Sequence, residues 1–222
     1  APSNRGIKQL GRGITMTSET LCPSEKTIMD FIHEITRDWC DDPDQNGLFE
    51  VRCLGEHRTA VTERFALHAC DDAVDLAVRM NDARLNIYMT INPITNNAES
   101  KAATDTDILR AHYTFVDADD QSGLSGLDAL TAILEPDIIV ITGTIPYERR
   151  HAYWRLLEPC SDLDLWRSRQ LDRAERYQTD KAVANPSRIM RVAGTVSYPN
   201  AAKLTRGYVP ELTTMKLSAS RS

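Results

Sequence analysis

The segment YTFVDADD, Tyr113 to Asp120, constrains this chain more than any other stretch. Tyr113, Phe115, Val116 and Ala118 make it an apolar strand rather than a loop, and Asp117 and Asp119 close it. Strand side chains alternate between faces, so the two aspartates point the same way, roughly 6–7 Å apart. Paired carboxylates beside a buried strand need a counter-charge, and a hard divalent cation in an oxygen-rich site supplies one. The same letters also suit a strand end turning into solvent, with Asp119 and Asp120 capping the QSGLSG turn. Alternation points Asp120 away from the pair, and a turn or cap role fits it better.

At 222 residues, 41% of them hydrophobic, the chain can bury one substantial domain or two small, closely packed ones. No stretch approaches the ~18 apolar residues of a membrane span, so no membrane partner is expected. The opening APSNRGIKQLGRGITM has no apolar signal-peptide centre, and residues 1–20 read as a flexible leader. The cysteines (Cys22, Cys40, Cys53, Cys70, Cys160) are odd in number and form no CxxC pair. They fit small buried residues in a reducing cytoplasm and lack zinc-ligand spacing. The net charge of -6 and a pI near 5.4 argue against a dedicated high-affinity nucleic-acid binder. They leave room for an enzyme that touches a strand locally, because charges count where they sit.

The apolar spacing predicts a helix over SEKTIMDFIHEITRDW behind a Ser24 cap, strands at LFEVRCLG and TAVTERFAL, a helix at DAVDLAVRMNDA, and a strand at NIYMTINP. The polar NNAESKAATDTD is expected to be a mobile connection. Beyond the YTFVDAD strand come a helix over GLDALTAILEP, strands DIIVITGT and HAYWRLL, a helix from Leu163 to about Tyr177, and a closing strand in RGYVPELT. Interleaved helices and strands give an α/β or α+β class with a mixed sheet.

In HAYWRLL, His151, Tyr153 and Arg155 share one face and Ala152, Trp154 and Leu156 the other. The second is expected to be the core side and the first a polar working face. Arg149, Arg150 and Arg155 concentrate positive charge around His151, which invites a polyphosphate. Alone, that histidine also suits an ordinary surface or core role. Asp180 follows a long amphipathic helix; alone it would be a helix-end aspartate. Arg188 and Arg191, three residues apart, would present both guanidiniums to one anion if the segment is helical or tightly turned. Lys203 lies in an irregular Gly- and Pro-containing stretch. DDPDQNG imitates half a calcium loop but meets Cys53 where a bidentate glutamate is needed. No phosphate-binding GxxxxGK[ST], HxH pair or GxSxG elbow occurs.

Taken together, these segments resemble the archaeo-eukaryotic primase superfamily, especially the RepB-like primase and primase-polymerase domains of plasmids, phages and mobile elements. Asp117 and Asp119 match its paired-acid strand, His151 its later strand histidine, and Asp180 its third acid after a helix. The small residue usual two positions before the histidine is Arg149 here. NPSRIMRVAGTVSYPN with Lys203 looks like the stretch that follows the third acid. The likeness runs from about Asn86 to Leu212. It implies an RRM-like sheet carrying the acids (about 101–215), packed on an N-terminal α/β module (about 21–100), with a tail over 216–222.

The resemblance also implies template-directed nucleotidyl transfer that makes and extends primers on single-stranded DNA from dNTP or NTP. Asp117, Asp119 and Asp180 would hold two Mg²⁺ or Mn²⁺ ions, and His151, Arg188 and Arg191 the triphosphate, with Lys203 as a further contact. Asn92, ending the NIYMTINP strand, either contacts nucleotide or template or caps a turn. A helicase or template-binding region is expected in a longer parent protein. Two alternatives remain open: a metal-dependent replication-initiator endonuclease on a related RRM-like sheet, and a non-catalytic nucleotide-binding module. The endonuclease reading lacks a paired-histidine motif.

Overall fold

The computed structural model of the chain describes residues 21–39, 47–56, 60–99 and 101–218. The expected leader, Cys40, the aspartate-rich 41–46 stretch and the last four residues of the tail lie outside them. Helix α1 (Glu25–Thr36) begins where Ser24 accepts a hydrogen bond from the Thr27 amide at 3.3 Å. Its Ile28, Phe31, Ile32 and Ile35 are buried in one stripe. Strands β1 (Leu48–Leu54) and β2 (Ala60–Ala66), helix α2 (Cys70–Asp82) and strand β3 (Asn86–Thr90) come next.

The second half runs β4 (Ala111–Ala118), α3 (Gln121–Thr131), β5 (Ile138–Gly143), β6 (Arg149–Cys160) and α4 (Leu163–Tyr177). Short elements complete it: β7 (Ile189–Arg191), β8 (Val196–Ser197), α5 (Ala201–Leu204), β9 (Glu211–Leu212) and β10 (Thr214–Leu217). The QSGLSG stretch, expected as a turn, is the first part of α3, because Asp120 caps it through the Gly123 amide at 2.7 Å. Lys216 and Leu217, expected in the tail, belong to β10 instead.

Two four-stranded sheets form, ordered β2-β1-β3-β7 and β10-β5-β6-β4, beside a β8-β9 ribbon. Every described pairing is antiparallel, where a mixed sheet was expected. The β4-α3-β5 crossover does bring two strands into parallel alignment, but β6 pairs between them. β7 returns from the second half to pair with β3, so the two expected modules interlock there. A single core links them, with Phe31 of α1, Phe49 of β1, Leu76 of α2, Met89 of β3, Phe115 of β4 and Tyr153 of β6. Each such side chain contributes about 1.5–3 kcal/mol by leaving water.

The two faces of the second sheet differ from expectation. Ala152 and Trp154 pack beneath α3 with Val116, Ala118, Leu127 and Leu130, as a core side should. On the opposite face His151 and Tyr153 are also buried, Tyr153 within the larger core, while Arg155 is half-buried. Only the His151 end of that face, opposite Asp117 in the ladder, reaches an open site. The NNAESKAATDTD segment is tied down rather than loose. Ala98 and Ala103 carbonyls accept from Arg64 and Arg52, and the Ala103 amide donates to buried Glu50 at 3.0 Å.

Edge strand β4 is covered by α4 and the turn beyond its C-terminus. The carbonyls of Tyr113, Phe115 and Asp117 accept from Trp166 Nε1 (2.9 Å), Gln170 Nε2 (3.0 Å) and the Asp180 amide (3.2 Å). This satisfies an otherwise open edge and sets Asp180 beside Asp117. Gly126 of α3 makes the approach possible: a Cβ there would lie 1.6 Å from the Tyr177 carbonyl oxygen. Gln178, in the left-handed region at φ 54°, then ends α4 and turns the chain toward Asp180.

Candidate active site

A cavity of about 300 Å³ opens where β4, β6, β7 and α5 meet. Asp117, Asp119, Asp180, His151, Arg188, Arg191 and Lys203 all line it, so seven of the eight residues singled out in sequence converge. The eighth does not. Asn92 is 0 % exposed, accepts from the His112 amide at 3.2 Å and donates to the Pro186 carbonyl at 3.0 Å. It clasps β4 and the loop before β7 to the segment just beyond β3.

Asp117 is the next-to-last residue of β4, and Asp119 follows directly after the strand's last residue, Ala118. Asp180 arrives from α4, where its carboxylate also caps a single 3-10 turn through the Ala182 amide at 2.8 Å. Burial first, then the charges of Asp119 and Asp180, pushes the Asp117 carboxyl up to about 7. Among the described residues, no three His, Cys, Asp or Glu side chains are drawn together as a ready metal shell. Asp119 instead meets Lys203 Nζ at 2.8 Å, and Asp180 lies 3.9 Å from Arg188. The donor set nevertheless fits a hard divalent cation. It is all oxygen, anionic, and destabilised by its own repulsion, which a cation relieves.

His151 is buried, and burial, then Arg191, Arg188 and Lys203, pushes its imidazole down to about 3. The ring is therefore neutral at pH 7 and brings a hydrogen-bonding nitrogen rather than a charge. Its Nδ1 lies 3.3 Å from the Tyr153 hydroxyl, which burial keeps protonated. A phenol donating to Nδ1 leaves the proton on Nε2, the nitrogen facing Asp117 at 3.6 Å.

Arg188 and Arg191 converge by a route other than the helix or tight turn expected. Arg191 lies on β7 opposite Tyr88, donating to the Asn86 amide oxygen at 2.7 Å and the Tyr88 hydroxyl at 2.9 Å, with its guanidinium 4.8 Å from the Tyr88 ring centre. Arg188 precedes the strand. Lys203 rides on α5, which Asn200 caps through the Lys203 amide at 2.8 Å.

The arginine cluster around His151 is dispersed by pairing. Arg155 bonds Glu34 at 2.7 Å and Asp38 at 2.9 Å on α1 and just beyond it, and Arg150 bonds Asp128 and Glu148. Arg149 borders the cavity, but its guanidinium is spent on Glu211 at 2.9 Å and on the Ile145 and Tyr147 carbonyls. It fits because Gly143 lies opposite it on β5; a Cβ there would come within 1.8 Å of Arg149. That glycine is how the chain accommodates a large residue two positions before the histidine.

Sequence reasoning missed Tyr88 and Tyr208, which also line the cavity. Tyr88 shares a strand face with Asn86, a polar signal within NIYMTINP. Tyr208 has Arg149, Arg206 and Lys203 at 4.6, 5.2 and 5.4 Å from its ring, a cation cage that no local pattern announces.

No known family model matches the sequence, and no curated protein matches it. Solved structures do. The AEP domain of the cyanophage S-2L primase-polymerase is similar with a TM-score of 0.55 and 19% identity, over 84% of this chain and 88% of that one. Primase RepB' gives 0.56 and 17% identity, over 86% of this chain and 56% of that one. The catalytic domain of RepB' in complex with initiator DNA gives 0.50 and 18%, over 84% of each chain. The antiparallel sheets and five helices described above are, by these likenesses, the fold of the archaeo-eukaryotic primase domain.

Proposed function

We propose that the chain is the catalytic core of a DNA primase-polymerase, joining nucleotides to make and extend primers on single-stranded DNA. The replicon would be a plasmid, phage or mobile element. The observation that carries this reading is the cavity that joins three aspartates to Arg188, Arg191, Lys203 and a neutral His151. The likeness to a cyanophage primase-polymerase and to a primase solved with initiator DNA supports it.

In the reaction, a 3′-hydroxyl oxygen bonds to the α-phosphorus of a nucleoside triphosphate, and the bond to the β-phosphate breaks. Pyrophosphate leaves with the electron pair, and the hydroxyl proton passes to water. Asp117, Asp119 and Asp180 would hold two Mg²⁺ or Mn²⁺ ions, which supply positive charge to the phosphates and ease deprotonation of the hydroxyl. Arg188 contributes a guanidinium to a triphosphate carrying a charge of about -4. Arg191 is held over the Tyr88 ring and offers the rest of its fork. Lys203, leaving Asp119 for the phosphates, would exchange one anion for another. His151 would donate to phosphate from Nε2, with Nδ1 accepting from the Tyr153 hydroxyl.

De novo priming and primer extension on single-stranded DNA, with Mg²⁺ or Mn²⁺, test the reading. The Asp117→Ala, Asp119→Ala double variant is expected to lose activity by about a thousandfold or more, from several kcal/mol of lost charge stabilisation. Activity equal to the parent chain would end the assignment.

A further inference from the structure

Lys203 and Arg191 reach the same cavity on very different supports. Arg191 lies on a strand and is held by Asn86 and Tyr88. Lys203 rides on a four-residue helix, and its side chain is 34 % exposed. A long ammonium chain in that setting has many rotamers and needs something to aim it.

The backbone around it is fixed from both ends. The Ala201 amide donates to Glu56 at 3.0 Å, and Asn200 caps the Lys203 amide. Beyond α5, Gly207 in the left-handed region at φ 85° turns the chain back. The Gly207 amide then donates to the Leu204 carbonyl at 3.0 Å, and the Tyr208 amide to the Lys203 carbonyl at 3.2 Å. These are the paired bonds of a Schellman stop, which brings the residue after the glycine over the helix's last turn. An apolar contact is usual there. Here the Lys203 ammonium lies 5.4 Å from the centre of the Tyr208 ring, within reach of cation–π attraction.

The ring is itself clamped. Tyr208 is 5 % exposed, and the Arg149 guanidinium packs 4.6 Å from its centre. Arg149 is bonded in turn to Glu211 and to the Ile145 and Tyr147 carbonyls. The Tyr208 hydroxyl meets that of Tyr147, which reaches the Asp119 carbonyl at 3.3 Å. Arg206 also packs on the ring but does not line the 300 Å³ cavity, and the Arg149 guanidinium is already taken. Lys203 is the cation that this ring can deliver. Its present partner is Asp119, at 2.8 Å. Once Asp119 serves a metal ion, the ammonium loses that anion, and the ring face keeps it at the cavity.

We propose that Tyr208, clamped by Arg149 and Glu211, is a positioning residue that presents the Lys203 ammonium to the triphosphate of the incoming nucleotide. The assignment rests on the nucleotidyl-transfer reading above and adds how one of its phosphate contacts is aimed.

The test is a double-variant cycle in primer extension, reading nucleotide KM and kcat, with thermal midpoints as a check on folding. Tyr208→Leu fills the space without a ring face and is expected to raise the nucleotide KM about three- to tenfold. Tyr208→Phe keeps the face and should restore a KM near the parent's. Lys203→Met should raise KM at least as far as Tyr208→Leu, and adding Tyr208→Leu to it should change KM no further. An equal rise from Tyr208→Leu in the Lys203→Met background overturns the assignment, as does a Tyr208→Phe effect as large as that of leucine. Arg149→Lys carries the same cycle if Tyr208→Leu fails to fold, because lysine lacks the fork that grips Glu211 and two carbonyls. A rise with Arg149→Lys that persists beside Lys203→Met is equally fatal. A parental KM in Lys203→Met overturns the assignment while inactivity of the Asp117→Ala, Asp119→Ala variant still upholds nucleotidyl transfer. A parent chain that forms no product with either metal brings down the transfer reading itself.

Discussion

Two carboxylates of this protein, one buried and one partly buried, live in opposite circumstances. Glu50 on β1 is 0 % exposed and fully matched: Arg52 and Arg64 pair with it, and the Ala103 amide donates to it. Asp117 on β4 has no such escort. No cation pairs with it directly; the neutral His151 ring lies at 3.6 Å, and burial with Asp119 and Asp180 outweighs Arg188 and Lys203 to push its carboxyl up to about 7. The difference separates a carboxylate matched by cations from one crowded by other carboxylates. A matched buried ion ties segments together and has no capacity left. An anion crowded by its own kind destabilises the empty site and gains when a cation arrives.

The contrast can be broken by exchanging the two fates. Glu50→Ala is expected to cost about 3–5 kcal/mol of stability, because it strands two guanidiniums and frees the 98–103 segment. A denaturant midpoint equal to the parent's would show that Glu50 is not the clasp described. Asp117→Asn should instead leave the metal-free fold intact and abolish stabilisation by Mg²⁺ or Mn²⁺. In the parent chain that gain is about 2.7 kcal/mol at a hundredfold excess over Kd, and chelation should remove it. Equal thermal gains in parent and variant would take Asp117 out of the metal site.

His151→Ala sharpens the role of the neutral neighbour. Loss of one hydrogen bond to a charged phosphate should raise the nucleotide KM about ten- to hundredfold, read in extension assays. An unchanged nucleotide KM would confine His151 to packing against Tyr153. The smallest effect concerns Glu211, an intermediate case. Burial alone would raise its carboxyl, but hydrogen bonds from Thr144, Ile145 and Arg149 carry it below 4.5. Its stabilisation is thus complete above pH 4.5 and is lost as pH falls through the lower folded value. Glu211→Gln should flatten the acid limb of stability, measured by denaturant midpoints between about pH 3 and pH 6. An acid limb as steep as the parent's would reassign that slope to other carboxylates.

Much of this was legible along the chain because it depends on periodicity. Strand alternation placed Asp117 and Asp119 together, and helical spacing placed Ile28, Phe31, Ile32 and Ile35 in one stripe. The long helix from Leu163 to Tyr177 was found at both ends. Other features were hidden because they depend on distant partners. Arg149, Arg150 and Arg155 read as a basic cluster, yet Glu211, Asp128 and Glu34 consume them from three separate elements. The NNAESKAATDTD segment read as loose because its anchor, Glu50, lies roughly fifty residues upstream. Tyr208 gave no signal, since its importance comes from the cations that surround it.

The sequence by itself determined the site's functional groups: which residues carry carboxylates, which carry guanidiniums, and that the paired acids end an apolar strand. These depend on residue type and on the two- and 3.6-residue periods, which need no knowledge of distant contacts. Only the tertiary structure decided which charges remain available. Pairing across elements spends Arg149, Arg150 and Arg155 and leaves Arg188 facing the cavity, while burial makes His151 neutral and Asp117 reluctant to ionise. Desolvation and Coulomb interactions are properties of distance through the fold, so they become readable only once the chain has closed on itself.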